Sequence, residues 1–119
     1  MLMQSFIFSF SNNSWVLLFP LCLMAGDAIT GFIKGWIDRK LNSKIMRVGL
    51  GKKFCEVLLI ILVLIAFIAI NIPFSIVTAT SIYVSITETL SIIENLDSIG
   101  VPIPKIIRDA ISEAKERGE

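Results

Sequence analysis

Fourteen consecutive residues, Val57 to Ile70, are all apolar, and no other feature of this 119-residue chain restricts its fold as strongly. Extended to Phe54 and Phe74, the stretch covers 21 residues. That is about 31 Å of helix at ~1.5 Å per residue, a match to a hydrocarbon core of ~30 Å. A soluble helical domain of this length buries only a modest core and has no use for such a run. The chain as a whole agrees: 55% of its residues are hydrophobic, its mean hydropathy is +0.80 and it lacks histidine, whereas soluble domains are about 45 to 50% apolar. The run reads as a transmembrane helix.

A net charge of +1 conceals an asymmetry. Residues 1 to 26 carry no charge, while Lys34, Arg39, Lys40, Lys44, Arg47, Lys52 and Lys53 crowd between the first two apolar stretches against a single Asp38. By the positive-inside rule this basic loop is cytoplasmic and sets the topology. The pattern predicts three transmembrane helices, at about 15–37, 54–70 and 74–93, with the N-terminus outside and the C-terminus inside. Asn71-Ile72-Pro73 reads as the tight turn between the second and third, with Pro73 opening the next helix. The first 26 residues lack the positive n-region of a signal peptide, so the N-terminus is expected to remain. A second start at Met3 adds no charge difference, and no distinct inhibitor form is expected from it. Cys22 and Cys55 fall in or beside spans and read as free packing residues. With no histidine they make no standard zinc site.

Gly100-Val101-Pro102-Ile103-Pro104 ends the third helix as a short stiff linker. Beyond it, Ile106, Ile107, Ala110, Ile111 and Ala114 recur at helical spacing among charged residues. The organisation expected is a three-span membrane domain, 1–104, followed by a short amphipathic cytoplasmic helix, 105–119. That helix suits a membrane surface or a neighbouring helix.

The third span is membranous yet polar. Ser75 to Asn95 holds eight Ser or Thr residues together with Glu88 and Glu94. At ~100° per residue, Ala79, Ile82, Tyr83, Ile86, Leu90 and Ile93 form one apolar arc. Thr78, Ser81, Ser85 and Glu88 share a different face, with Thr80, Thr87, Ser91 and Glu94 on a further flank. The first span has a matching polar face in Asp27, Thr30, Gly31, Lys34 and Asp38, and Lys34 and Asp38 are spaced to pair at i, i+4. An ionised Asp27 at this depth must be paired, hydrated or protonated, since a lone carboxylate at a helix centre costs ~2.5 to 3.5 kcal/mol. Ser81 with Ser85, and Gly31 with Gly35, have the small-xxx-small spacing of close helix approach. Individual Ser and Thr residues often bond back to their own helix, and a glutamate near a helix end often snorkels. Two aligned polar faces point instead to helix association or a wet lumen. Asp27, Thr30, Gly31, Lys34, Thr78, Ser81, Ser85 and Glu88 are the candidate assembly or lumen residues.

A run of short motifs carries a resemblance. Asp27-Ala28-Ile29-Thr30-Gly31 is followed by Leu41-Asn42-Ser43-Lys44, then Gly49-Leu50 with Lys52-Lys53. Glu88 with Ser91-Ile92-Ile93-Glu94-Asn95 comes next, and Gly100-Val101-Pro102-Ile103-Pro104 last. In this order, over about residues 26 to 108, the chain resembles the holin family of phages of Gram-positive bacteria and the related clostridial toxin-secretion proteins.

That resemblance implies a multi-pass protein of the bacterial cytoplasmic membrane of the host that assembles into large homo-oligomers and opens lesions. An endolysin, or a secreted toxin-like cargo, then reaches the cell wall without direct contact being required. The expected partners are the protein itself and membrane lipids, with no nucleic acid and no cofactor. The first and third spans would supply the polar faces and the second a mainly lipid-facing anchor. The basic residues Arg39, Lys40, Lys44, Arg47, Lys52 and Lys53 would contact anionic lipid, each contributing ~1 kcal/mol near the surface. A small proton or cation channel or transporter subunit using Asp27 and Glu88 is the alternative, and an accessory scaffold acting through the tail a third reading. An enzyme is not expected: the chain has no histidine, paired-cysteine motif or phosphate loop, and its carboxylates have no partner nucleophile.

Overall fold

The computed structural model describes residue 4 and residues 14–118, and every described element is α-helical. Helix α1 is Trp15–Ile37, α2 is Ser43–Ile70, α3 is Phe74–Ile99 and α4 is Lys105–Gly118. Readings of the first thirteen residues, including the retained N-terminus and the Met3 start, lie outside the described residues apart from Gln4. The first three helices are each long and apolar enough to cross a membrane.

Local chemistry explains where the helices begin and end. Asn42 caps α2, its side-chain oxygen accepting from the backbone N–H groups of Lys44 at 2.8 Å and Ile45 at 3.3 Å, which satisfies donors that a helix start leaves unpaired. The helix therefore begins eleven residues before the expected span, and the basic stretch is a loop only across 38–42. Lys44, Arg47, Lys52 and Lys53 are all helical. At 28 residues α2 is ~42 Å long, more than a hydrocarbon core requires. It stops at Asn71, whose left-handed φ of 59° suits a C-cap asparagine, and Pro73 precedes α3 in extended conformation. Helix α3 runs past the expected residue 93 to Ile99. Gly100 closes it at φ 108°, with the N–H groups of Gly100 and Val101 both returning to the Leu96 carbonyl.

The three long helices run up, down and up, so α1 and α3 are parallel neighbours. Their register is constant: Val16 meets Ser81, and Asp27 meets Ser91. Gly26 permits the approach, because a Cβ placed there would lie 3.2 Å from the Ile92 side chain. Gly31 faces Asn95, whereas Gly35 faces Leu41 of the α1–α2 loop rather than α3. The interior is layered. Val16, Phe67 and Val77 pack with Phe74 at the end bearing the 71–73 turn, and Met24, Ile60 and Val84 form the middle layer. Outside, the apolar surface is bare: Leu58, Leu59, Ile61, Leu62 and Ile65 of α2 are exposed, as are Ile82, Tyr83 and Ile86 of α3. Such a surface suits lipid as its solvent. Cys22 and Cys55 are free, as expected, but sit on this outer surface, so within one chain they are not packing residues. All described side chains of α4 are exposed, and Arg108 ties the helix to α3 through Asp97 at 2.5 Å.

One hydrogen bond follows directly from the proline in α1. Pro20 has no N–H, so the Val16 carbonyl one turn back loses its helical partner. Ser81 of α3 supplies the replacement, its Oγ donating to that carbonyl at 2.5 Å in a fully buried position. In lipid every backbone polar group must be satisfied from within the protein. Replacing Ser81 by Ala should therefore cost about 1 kcal/mol. In a Pro20→Ala background, where residue 20 can donate, the same replacement should cost much less. Unfolding of the four variants in mixed detergent micelles measures the coupling, and equal costs in both backgrounds would show that Ser81 does not serve this carbonyl.

Candidate functional site

A third interior layer, beyond Met24 and Val84, is ionic. Asp27 lies twelve residues into α1, ~18 Å from Trp15, and is 7% exposed. Three donors complete its carboxylate. Lys53 Nζ of α2 donates to Oδ2 at 2.5 Å, while Ser91 Oγ and Asn95 Nδ2 of α3 donate to Oδ1 at 2.6 and 2.9 Å. The Asn95 amide also donates to Thr30 Oγ1 at 3.0 Å, and Thr30 donates in turn to the Gly26 carbonyl at 2.9 Å. Glu88, 2% exposed, brings its Oε2 to 3.3 Å from the same Lys53 ammonium without reaching hydrogen-bond geometry. Three helices are thus joined through one lysine.

Buried ion pairs contribute little net stability by themselves, because desolvation consumes most of the attraction, but removing one partner leaves an uncompensated charge. The added hydrogen bonds from Ser91 and Asn95 offset part of that desolvation. Beside the layer lies a cleft of about 650 Å³, lined by Asp27, Glu56 and Glu88 and by Phe32, Ile33 and Met46 among others.

Of the eight candidate assembly or lumen residues, Asp27, Thr30, Gly31 and Glu88 meet in this layer. Ser81 is engaged elsewhere by Val16, and Ser85 is buried with its hydroxyl unpartnered among the described residues. Thr78 is half-buried nearer the 71–73 turn, and Lys34 lies in the last turn of α1. Neither Thr78 nor Lys34 makes a side-chain hydrogen bond among the described residues. The Lys34–Asp38 pair does not form: Asp38 is the exposed C-cap of α1, where an ion pair gains little over hydration. Thr80 and Thr87 bond back to Ile76 and Tyr83 of their own helix. Ile82, Tyr83 and Ile86 of the apolar arc face outward.

The motif residues acquire separate physical roles. Asn42 caps a helix, Gly100 takes a left-handed turn, Gly31 makes room for Asn95, and Asp27, Lys53, Ser91 and Asn95 form the ionic layer. Ser43 and Lys44 open α2, Glu94 is exposed, Pro102 and Pro104 lie between α3 and α4, and a Cβ on Gly49 would meet nothing within 4 Å. Sequence reasoning missed Lys53 as the partner of Asp27, placing it in the topology-setting basic loop, and so treated the second span as mainly a lipid-facing anchor. It also left out Glu56, Pro20 and Gly26. A signal was present: Lys53 is the last basic residue before the apolar run, and at ~100° per residue Asn95 falls on the Glu88 face, with Ser91 on the flank adjoining it.

With its apolar outer surface and ionic interior, the protein is an integral membrane protein whose three long helices are each able to span a membrane. The sequence profile of the bacteriophage holin family matches residues 5–116. A probable holin of Bacillus phage phi105 is 34% identical over 85 residues, 71% of this chain and 63% of that protein. The uncharacterized protein YqxH of Bacillus subtilis (strain 168) is 32% identical over 93 residues, 78% of this chain and 66% of its own length. The uncharacterized protein CPE0383 of Clostridium perfringens (strain 13 / Type A) is 32% identical over 92 residues, 76% of this chain and 68% of that one. The chain thus spans just under two thirds of the phage and Bacillus relatives. No solved structure matches. The chain belongs to the bacteriophage holin family.

The ionic layer makes a measurable demand. Lys53→Met, which leaves Asp27 and Glu88 buried without a cation, should destabilise the three-helix body by on the order of 3 kcal/mol. Asp27→Asn combined with Lys53→Met should recover a large part of that loss. Helicity followed through detergent-induced unfolding reads both, and additive losses in the double variant would show the two groups to be uncoupled.

Proposed function

We propose that this protein is a holin, a non-enzymatic lesion former. It oligomerises in the bacterial cytoplasmic membrane and lets an endolysin, or a secreted toxin-like cargo, reach the cell wall. The observation that carries the reading is the family match across residues 5–116, and the ionic layer gives it a physical basis. A lesion wide enough for a folded enzyme needs many spans with one face for lipid and another for water. Here the water-compatible side chains Asp27, Lys53, Ser91 and Asn95 satisfy one another inside a single chain, and Glu88 lies beside the same Lys53 ammonium. The monomer therefore resides in lipid at low cost, and assembled copies turn the same groups toward a wet lumen.

In this reading the N-terminus is outside and the C-terminus inside, with the basic residues from Arg39 to Lys53 on the cytoplasmic side. Residues 1–104 form the membrane unit and 105–119 a cytoplasmic amphipathic tail. The burial of Asp27 and Glu88 beside a cleft supports a second reading, a small proton or cation channel, which would conduct selectively and retain folded proteins.

Inducible expression in a bacterium with and without a cytoplasmic muralytic enzyme separates the two readings. Turbidity should fall when the enzyme is present, together with release of a large cytoplasmic reporter. Unchanged turbidity with the enzyme present removes the lesion reading, and ion flux without reporter release favours the channel. Glu88→Leu should insert normally yet delay or prevent lysis, and wild-type timing would remove Glu88 from the lesion machinery. A fluorescent protein fused after Glu119 should fold in the cytoplasm, whereas a periplasmic-type phosphatase fused there should stay inactive. The opposite pattern reverses the topology.

A further inference from the structure

Several hydroxyls of the long helices are satisfied within the chain. Thr30, Thr80 and Thr87 donate to carbonyls of their own helices, and Ser81 and Ser91 donate to α1. Two in the middle of α3 stand apart from these. Ser85 is 6% exposed, and its Oγ is buried without a hydrogen-bond partner among the described residues. The Tyr83 phenol has no partner among them either, and at 67% exposure it stands on the bare outer surface. Tyr83 lies ten residues from Pro73, ~15 Å along the helix and so near the middle of a ~30 Å core. Tyrosine is ordinarily found at membrane–water interfaces, where its hydroxyl meets water.

Ser85 lines a groove of about 240 Å³ between α1 and α3. Trp15 and Phe19 of α1 form one wall, Ile82 and Ile86 of α3 the other, and Thr89 lies beside Ser85. Lipid tails can cover such walls but cannot bond to the hydroxyl, because in hydrocarbon a polar group is satisfied only by protein. The apolar run of α2 has nothing to offer it, since Val57 to Ile70 includes no polar side chain. A phenol meets both needs, with an apolar ring for the walls and a hydroxyl that donates and accepts.

We propose that two copies of this chain pair through α3, the Tyr83 ring of each entering the groove of the other and its hydroxyl bonding to Ser85. At ~100° per residue, Tyr83 lies ~60° to one side of Ile86, while Ile82 and Thr89 lie ~40 to 60° to the other. Copies of one topology are related by an axis along the membrane normal, which keeps each residue at its own depth. A two-fold axis beside Ile86 therefore sets each Tyr83 against the groove of the other chain. Tyr83 and Ser85 differ by two residues, ~3 Å, in depth. This contact rests on the self-association in the holin reading and names a surface for it. The pair is closed, so larger assemblies use other faces of the bundle.

Pairing is measured on the purified full chain in phosphatidylglycerol–phosphatidylethanolamine vesicles, by energy transfer over a range of protein-to-lipid ratios. Cys55, exposed on α2, carries the fluorophore in a Cys22→Ser background. Tyr83→Phe and Ser85→Ala should each weaken pairing about threefold. The double variant should lose no more than either alone, with helicity unchanged throughout. Benzoylphenylalanine placed at position 83 should crosslink one copy to Phe19, Ile82 or Ser85 of another. Undiminished pairing in Tyr83→Phe, or losses that multiply in the double variant, overturns the proposal, as do crosslinks to α2 or to lipid alone. A wild-type chain that stays monomeric at every ratio overturns the self-association of the holin reading as well. Pairing as described without lysis in the expression assay keeps this interface and removes the lesion.

Discussion

The rest of the structure depends on how a carboxylate placed well inside a membrane helix is kept from facing hydrocarbon. Asp27 meets Lys53 at 2.5 Å, and Ser91 and Asn95 complete its remaining oxygen. Since these partners come from α2 and α3, one side chain sets the relative rotation and depth of all three helices. The apolar layers of Val16, Phe67 and Val77 and of Met24, Ile60 and Val84 can slide by a turn at small cost, because lipid is as apolar as they are. The ionic layer cannot. A one-turn slip would part Asp27 from its donors and leave Lys53 and Glu88 without compensation.

The other end of the α1–α3 contact obeys the same rule with neutral groups. Pro20 withdraws a donor from its own helix, and Ser81 returns one from the neighbouring helix. Beside the Asp27–Ser91 fastening, Gly26 lets the backbones approach and Ile92 fills the space. The pairing of α1 with α3 is thus specified by hydrogen bonds at both ends, and α2 closes the bundle through Lys53 and the residues around Ile60 and Phe67. These fastenings give a physical account of several of the motifs that carry the resemblance, since the residues concerned satisfy buried groups or terminate helices.

This arrangement also changes how the polar faces are understood. A face of serines and acidic residues on a membrane helix invites assignment to a lumen or to a partner chain. In the isolated chain those faces of α1 and α3 are turned toward each other, and several threonines, Thr80 and Thr87 among them, bond only to their own backbone. In the proposed reading, lesion formation would be a change of partner for groups most of which are already bonded within the chain. It does not require side chains held exposed in advance.

The apolar run from Val57 to Ile70, the turn at Asn71 to Pro73, the break at Gly100 and the outward arc of Ile82, Tyr83 and Ile86 were all legible in the sequence. Each is set by local chemistry: helix length against bilayer thickness, a residue that tolerates left-handed φ, or the 3.6-residue period. The early start of α2 at Ser43 was legible only in part, since the basic stretch reads as a loop unless the capping role of Asn42 is recognised. Which residues close the circuit around Asp27 was decided by the tertiary structure alone. Lys53 lies 26 positions from Asp27, and Ser91 lies 64, so no periodicity links them. The antiparallel return of α2 and the parallel register of α1 with α3 bring them together, because only that packing leaves no charge or carbonyl of the layer facing lipid alone.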